Sequence, residues 1–250
     1  MIKNSEFRNE KNDNEDHRLS SNGNYRIKVL SADEAEHYDE INFNVNHAYP
    51  FEQTEVLSGS SEQVEAVEKA VYDLLDAFNV NWEDPNYSGT PHRVARAYVD
   101  YWVSGYARDP RDEITIFPNT AGSNDMVIVK DMRFYSLCSH HLAPIEGYAA
   151  IAYIPDKNLL GLSKLGRILE IYARRFQLQE RIGQQTADAL MDLVKPKGVM
   201  VVLYDVTHGC MSSRGVKLHE AKTTTYTYRG AFEDSALRNE ALALMDLHNP

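Results

Sequence analysis

The chain has few cysteines, no long apolar run and no excess of basic residues. Only two of its 250 residues are cysteine, too few for a disulfide framework, which favours a reducing, cytoplasmic setting. No apolar stretch approaches the roughly 18–20 residues of a membrane span, and the amino terminus lacks the apolar core of a secretory signal. A formal net charge of −11 argues against a nucleic-acid-binding protein. We therefore expect neither a membrane nor a nucleic acid as partner.

Residues 1–60 differ in composition from the rest of the chain. They contain six Lys and Arg against twelve Asp and Glu, a net charge of −6, and the first 25 are rich in Asn, Asp, Glu and Ser. Such a segment buries too little apolar surface to offset the entropy lost on folding. We predict an acidic, largely disordered extension over 1–60 and a folded domain over 61–250. Within that domain we expect helices over 61–108 and a second unit over 126–250.

The residues that follow the extension have the apolar spacing of helices. Ser60 and Gln63 can form a capping box at the start of the first helix, and Thr90 is a candidate N-cap for the next. The stripe predicted to face the core in the first helix comprises Val64, Val67, Val71, Leu74, Leu75 and Phe78.

From Met126 onward the pattern changes to strands. The runs MVIVKDMRFYSL, GYAAIAYI, GVMVVLYDV and KTTTYTYRG are rich in β-branched and aromatic residues. Between the second and third of them lies a helical pattern long enough for two helices, the first capped by Ser163. A last short helix closes the chain. The order helix–helix–strand–strand–helix–helix–strand–strand–helix predicts an α+β fold with an antiparallel sheet.

The only two cysteines each follow an apolar, strand-like run. Cys138 stands three residues before His141 in CSHH, and Cys210 lies in HGC. A Cys-x-x-His pair joined by one more thiol is a donor set for zinc with a fourth position left for water. Spacing alone leaves two other interpretations open, a pair of small core residues or a disulfide.

Several separated motifs resemble GTP cyclohydrolase I. They are TPHRVA, CSHHLAP, AYIPDKNLLGLSKLGRI, RRFQLQERIGQQ, HGCMSSRGV and TTTYTYRGAF, and the resemblance covers about residues 62–248. It implies a tunnelling fold with helices on one face of the sheet. It also implies a homodecamer of two pentamers in which the sheets close into a barrel and the sites lie between subunits.

The resemblance further implies a reaction and a set of site residues. The reaction is hydrolysis of GTP at C8 with loss of formate, which yields 7,8-dihydroneopterin triphosphate for folate or biopterin synthesis. Zinc, one ion per subunit, is implied on Cys138, His141 and Cys210. The implied catalytic residues are His140, His208 and Ser163. The implied substrate contacts are Gln179 and Glu180 for guanine, and Arg93, Arg96, Lys164, Arg167 and Arg214 for the triphosphate.

The sequence departs from the usual family pattern near the predicted metal ligands. Ser139 replaces a common Glu, and Ser212 and Ser213 follow Cys210 where larger residues are usual. Two alternatives therefore stand beside the main interpretation. One is a weakened, regulatory paralogue, and the other is the related nitrile reductase of deazaguanine metabolism, which lacks the Cys-x-x-His pair. The product could also supply the deazaguanine pathway.

Overall fold

The computed structural model describes residues 60–247, which form seven α-helices and seven strands. The helices are α1 Ser61–Ala77, α2 Thr90–Ala97, α3 Pro110–Glu113, α4 Leu162–Ala173, α5 Gln179–Val194, α6 Gly209–Ser212 and α7 Ser235–Met245. The strands are β1 Ile116–Pro118, β2 Val127–Cys138, β3 Pro144–Ile154, β4 Asn158–Leu160, β5 Phe176–Gln177, β6 Gly198–His208 and β7 Thr223–Gly230. Apart from Ser60, the predicted extension over 1–60 lies outside the described residues.

A five-stranded sheet in the order β5–β2–β3–β6–β7 forms the centre of the fold. The β2–β3, β3–β6 and β6–β7 pairs are antiparallel, as predicted, whereas the two-residue β5 pairs in parallel with the end of β2. Each antiparallel pair contains one register shift, and such bulges increase the twist and bend of a sheet. They lie at Val129/Met132, Glu146/Tyr148 and Leu203/Val206.

Both faces of the sheet carry a hydrophobic core, because successive strand residues point to opposite sides. Ile151 and Val201 belong to the core shared with α4 and α5. Their neighbours Ala152 and Val202 belong to a second core that includes Met245 of α7. The expectation of helices on one face only is therefore wrong, since the apolar β3 and β6 strands need cover on both sides.

The amino-terminal helices form a small core of their own. The Ser60 Oγ accepts the Gln63 N–H at 3.2 Å, which confirms the predicted start of α1. Val64 is buried beside α2, but Leu74 and Phe78 are 57% and 76% exposed. The predicted inward stripe is thus wrong for the second half of α1 within one chain, because the core shared with α2 lies at the start of α1.

Two predicted helix caps are also wrong. Helix α4 begins at Leu162 and has Gly161 at its N-cap, with no side-chain hydrogen bond there, so Ser163 lies inside the first turn. Thr90 is the first residue of α2, and Gly89 precedes it with a φ of +69°. In both cases a glycine occupies the N-cap, the position for which the sequence pattern predicted a serine or threonine.

The bulge in β2 is held by a tyrosine from β6. Asp131 lies in the bulge with a φ of +60°. The Tyr204 hydroxyl donates to Asp131 Oδ1 at 2.7 Å and accepts the Asp131 N–H at 3.1 Å. Burial, together with the Asp131 carboxylate, raises the pKa of Tyr204 to about 12. One hydroxyl therefore forms hydrogen bonds with both the carboxylate and the backbone N–H of a residue in a strained conformation.

We expect Tyr204→Phe to lower the free energy of unfolding by about 1–2 kcal/mol, because the variant loses both hydrogen bonds to Asp131. Urea unfolding measures this change. Tyr148→Phe is the matched control, since the Tyr148 ring stacks on Tyr204 at 5.9 Å between centroids and its hydroxyl makes no protein hydrogen bond in the described part of the chain. Equal losses in the two variants would contradict the assigned role of the Tyr204 hydroxyl.

Candidate active site

Three strand ends meet at one edge of the sheet. Strand β2 ends at Cys138, β3 begins at Pro144, and β6 ends at His208. Leu137 pairs with Pro144, and Ile145 pairs with His208. This register brings together the CSHH and HGC segments, whose cysteines are 72 residues apart in the sequence.

A closed turn after Cys138 positions the first half of the candidate metal centre. The Cys138 N–H donates to the Ala143 carbonyl and the Leu142 N–H to the Cys138 carbonyl, both at 2.8 Å. Leu142 adopts a left-handed φ of +53°, which reverses the chain within a few residues. The Ser139 N–H donates to the Gln177 carbonyl at 3.0 Å. This turn keeps His140 and His141 exposed at the sheet edge.

The structure brings the predicted metal ligands together. The ligand atoms of Cys138, His141 and Cys210 lie within 4.8 Å of one another. Cys138 is 3% exposed and contacts the core, Cys210 is half-buried, and both are free thiols. The disulfide interpretation is therefore not the one observed, while Cys138 is at once a core residue and a candidate ligand.

The donor set fits a zinc ion. Zinc prefers thiolate and imidazole donors, and a tetrahedron with Zn–S bonds of about 2.3 Å places the sulfurs about 3.8 Å apart, which is compatible with ligand atoms within 4.8 Å of one another. Burial raises the pKa of the Cys210 thiol, and the neighbouring Cys138 acts in the same direction. Thiols bind zinc as thiolates, so metal binding at this cluster is expected to release protons.

His208 is oriented by a network that joins β6, α5 and β7. Its Nε2 lies 2.8 Å from Gln179 Oε1 and 3.2 Å from Thr223 Oγ1. The Thr223 hydroxyl donates to the same Gln179 oxygen, and Gln179 Nε2 donates to Thr225 Oγ1 at 3.1 Å. Because the Gln179 oxygen can only accept, His208 Nε2 carries the hydrogen and Nδ1 remains available. Burial lowers the pKa of His208, and the Glu180 charge opposes this shift.

Gln179 differs from the role implied by the resemblance. Its side chain is 3% exposed, and its amide contacts His208, Thr223 and Thr225. These contacts use both ends of the amide within the protein. The oxygen and one of the two amide N–H groups are therefore used within the protein, where the side chain orients His208.

Sequence reasoning missed Thr223 and Thr225 as members of this network. Alternate residues of a strand share one face, so the spacing of Thr223, Thr225 and Thr227 in TTTYTY was the available signal. That face meets α5, since Gly183 lies against Thr227. Because threonine is common in any strand, the signal becomes informative only once the neighbouring helix is known.

We expect Thr223→Val to lower kcat about tenfold for the GTP reaction that the sequence resemblance implies, because His208 loses one of the two groups that orient its ring. Valine has nearly the same shape, so the fold and the metal content should be unchanged. Steady-state kinetics with metal analysis measures both quantities. Thr224→Val is the control, since Thr224 is exposed on the opposite face of β7. A normal kcat in the Thr223 variant would contradict the role.

Three further predicted site residues lie at the same edge. Glu180 is exposed in the first turn of α5, close enough to His208 to affect its pKa. His140 Nδ1 lies 3.8 Å from Cys138 Sγ. Arg214 Nη1 lies 2.8 Å from His141 Nε2, which places a cation beside the candidate metal centre.

Other predicted residues lie elsewhere in the chain. Ser163 and Lys164 are in the first turn of α4. The helix extends about 15 Å from Ser163 to Ala173, and Ala173 is at the end of α4 that lies near Cys138. Arg167, also on α4, pairs with Glu113 at 3.0 Å. A single chain therefore does not gather these three residues around His208.

The two predicted arginines of α2 make local contacts. Arg93 donates to the Ser88 carbonyl at 2.8 Å and to Thr90 Oγ1 at 2.8 Å. Arg96 pairs with Asp100 at 2.7 Å. Both side chains are exposed, so they are accessible to a ligand or to another chain.

No helix among residues 60–247 is long and apolar enough to cross a membrane.

Comparisons with known proteins agree on one family. The GTP cyclohydrolase I family model matches residues 67–246. A GTP cyclohydrolase 1 of Streptococcus pyogenes serotype M1 is 44% identical over 187 residues, which cover 72% of this chain and 93% of the relative. Those of Streptomyces coelicolor and Streptomyces avermitilis are 45% and 46% identical over 183 residues, 71% of this chain and 88% of each relative.

A solved structure gives a weaker match. The archaeosine synthase QueF-Like in its apo form has a TM-score of 0.36 and 18% identity, and the match covers 44% of this chain and 97% of that one. The sequence relatives and the family model decide the assignment. The chain belongs to the GTP cyclohydrolase I family of hydrolases that act on cyclic amidines.

Proposed function

We propose that this chain is a zinc-dependent GTP cyclohydrolase I. It hydrolyses GTP at C8, releases formate and forms 7,8-dihydroneopterin triphosphate, the first step of pterin synthesis toward tetrahydrofolate or tetrahydrobiopterin. The observation that carries the proposal is the Cys138, His141 and Cys210 cluster, within 4.8 Å, beside an oriented His208. The two free thiols of the cluster suit a reducing cytoplasm.

In this proposal Cys138, His141 and Cys210 hold one zinc ion per subunit. When bound, zinc supplies Lewis-acid chemistry for hydrolysis. Three protein ligands, rather than four, are typical of a catalytic zinc site. Arg214 beside His141 contributes positive charge for a phosphate group of the substrate.

Glu180 and His208 act on the base of the nucleotide. The exposed Glu180 carboxylate accepts hydrogen bonds from guanine N1–H and the exocyclic amine, a donor pair that adenine lacks. His208 takes up a proton at Nδ1 and passes it to the purine, because its Nε2 keeps its own hydrogen on Gln179. His140, exposed in the adjacent turn, acts with Ser163 on the ribose.

The remaining substrate contacts come from a second copy of the chain. Ser163, Lys164 and Arg167 occupy the far half of α4, away from His208 in one chain, so a neighbouring subunit must supply them if they are to reach the same substrate. Among the described strands, the outer edges of β7 and of the part of β2 before Leu137 have no partner, so they can pair between copies and close the sheets into a barrel. We propose the homodecamer of two pentamers that the family resemblance implies, with Arg93 and Arg96 also facing the triphosphate.

Incubation of the purified protein with GTP tests the proposal. We expect formate in equal amount to a pterin that becomes fluorescent on oxidation, and both should disappear with a chelator and return with zinc. Metal analysis should give close to one zinc per chain. GTP turnover without formate, or full turnover by zinc-free protein, would reject the proposed chemistry.

We propose that residues 61–250 suffice for catalysis and that 1–60 form a separate extension. Removal of 1–58 is expected to leave kcat/KM for GTP within about twofold, since every proposed site residue lies after residue 90. Gel filtration and GTP turnover measure the outcome. Loss of the oligomer in the shortened chain would show that the extension contributes to assembly.

A further inference from the structure

A short segment connects the candidate metal centre to the guanine-binding carboxylate. Strand β5 has only two residues, and its Phe176 and Gln177 pair with Leu137 and Cys138. Two residues after Gln177, helix α5 begins at Gln179, so Glu180 lies three residues from the partner of a metal ligand. The position of Glu180 relative to Cys138 therefore depends on how well β5 is held.

Pairing with β2 alone holds β5 weakly. Among the described strands it lies at the sheet edge, with a strand neighbour on one side only, and two residues form few ladder hydrogen bonds. The Tyr106 hydroxyl accepts the Phe176 N–H at 3.2 Å, and the Tyr106 and Phe176 rings lie 6.2 Å apart. The Tyr106 hydroxyl thus accepts a backbone hydrogen bond that a neighbouring strand would otherwise accept.

The Arg175 side chain also holds this segment, through contacts with the turn that carries Tyr106 and with helix α4. Its Nε donates to the Gly105 and Ile171 carbonyls, both at 3.1 Å. Its guanidinium carbon lies 5.5 Å from the Tyr106 ring centroid and 5.0 Å from that of Tyr172, a sandwich that favours a cation. Tyr106 and Arg175 therefore contact each other as well as the backbone.

The turn that carries Tyr106 fits closely against the end of α4. The Gly105 N–H donates to the Arg174 carbonyl at 2.9 Å. A Cβ at Gly105 would lie 2.0 Å from the Ile171 carbonyl oxygen, so no side chain fits there. This backbone contact allows little movement of Tyr106 relative to β5.

We infer that Tyr106 and Arg175 are positioning residues for guanine recognition. They hold β5 in register with Cys138 and so keep Glu180 at the correct distance from the metal centre and His208. The inference rests on the proposed function, because it assigns Glu180 to guanine. Neither residue touches the substrate in this proposal.

The test compares GTP with inosine triphosphate, whose base keeps N1–H but lacks the exocyclic amine. Tyr106→Phe removes only the hydroxyl that accepts the Phe176 N–H. We expect its kcat/KM for GTP to fall about tenfold and its kcat/KM for inosine triphosphate to fall less. The GTP-to-inosine-triphosphate ratio should therefore drop at least about threefold, because a displaced Glu180 loses the contact that only guanine offers. Zinc content should match that of the unaltered protein.

Two further variants sharpen the result. Arg175→Lys keeps the charge but loses the Nε donor and the planar stack, so it should show the same drop in ratio. Tyr101→Phe is the control, since Tyr101 is 66% exposed in the preceding helical turn, and it should match the unaltered protein.

Parallel losses for both nucleotides, or an unchanged ratio in Tyr106→Phe, would overturn the inference and leave a structural role only. Failure of the proposed function gives a different result. In that case the unaltered protein itself would not release formate from GTP.

Discussion

The Cys210→Ser variant is expected to lose both its metal and its turnover of GTP. Serine provides a harder, less acidic oxygen in place of one of two sulfur donors, and zinc sites with mixed sulfur and nitrogen ligands depend on thiolate. Only Cys138 and His141 would remain of the cluster. We expect zinc to fall from about one to below about 0.1 per chain and kcat to fall at least about 10³-fold, the scale of losing metal catalysis.

Metal analysis and the formate assay, run on the same preparation, measure both quantities for Cys210→Ser. Ser213→Ala is the matched control, because Ser213 follows the same short helix and is exposed, with its hydroxyl donating only to the Gly209 carbonyl. It should retain zinc and activity. A Cys210 variant that is metal-free yet fully active would eliminate the metal from the mechanism, and one that keeps its zinc would eliminate Cys210 as a ligand.

The Glu180→Ala variant is expected to lose GTP turnover but to keep its zinc. Removal of the carboxylate leaves guanine N1–H and the exocyclic amine without acceptors, and a site built on such hydrogen bonds rejects unmatched partners strongly. We expect kcat/KM for GTP to fall about 10³-fold. The metal cluster does not include Glu180, so zinc should remain near one per chain.

Two further variants are needed to interpret the result for Glu180→Ala. Glu180→Gln should be almost as impaired, because its amide presents donors toward the donors of guanine. Gln184→Ala, one turn further along α5 and also exposed, should behave as the unaltered protein. If Glu180→Ala lost zinc together with activity, the carboxylate would be supporting the metal centre instead of the base.

Much of the fold followed from local patterns. The order of the five longer helices and four longer strands was predicted correctly, because each of them carries its own apolar period. The short elements α3, α6, β1, β4 and β5 were not predicted, since two to four residues are too few to show a period. The start of α1 at Ser60 was also confirmed, since a cap involves neighbours within one turn. The position of Ser163 and the number of covered faces were wrong, because both depend on contacts with distant parts of the chain.

The candidate site was likewise predictable only in part from the sequence. Cys138, His141 and Cys210 could be grouped from residue type and spacing as one of three open interpretations, and the resemblance added His208 and Glu180. The contacts of Gln179 with His208 and Thr223 could not be predicted, because they join three elements through side-chain directions that no local pattern records. The same is true of Tyr106, which lies 70 residues from the strand it supports.

By itself, the sequence determined which residues can donate to a metal, where the helices and strands lie and which family the motifs resemble. Residue chemistry and short-range periodicity carry that information. Only the tertiary structure decided that Cys210 meets Cys138, that Gln179 turns inward to His208, and that Ser163 stays away from both within one chain. Those outcomes depend on strand register and helix packing, which are set by the simultaneous burial of side chains from remote segments.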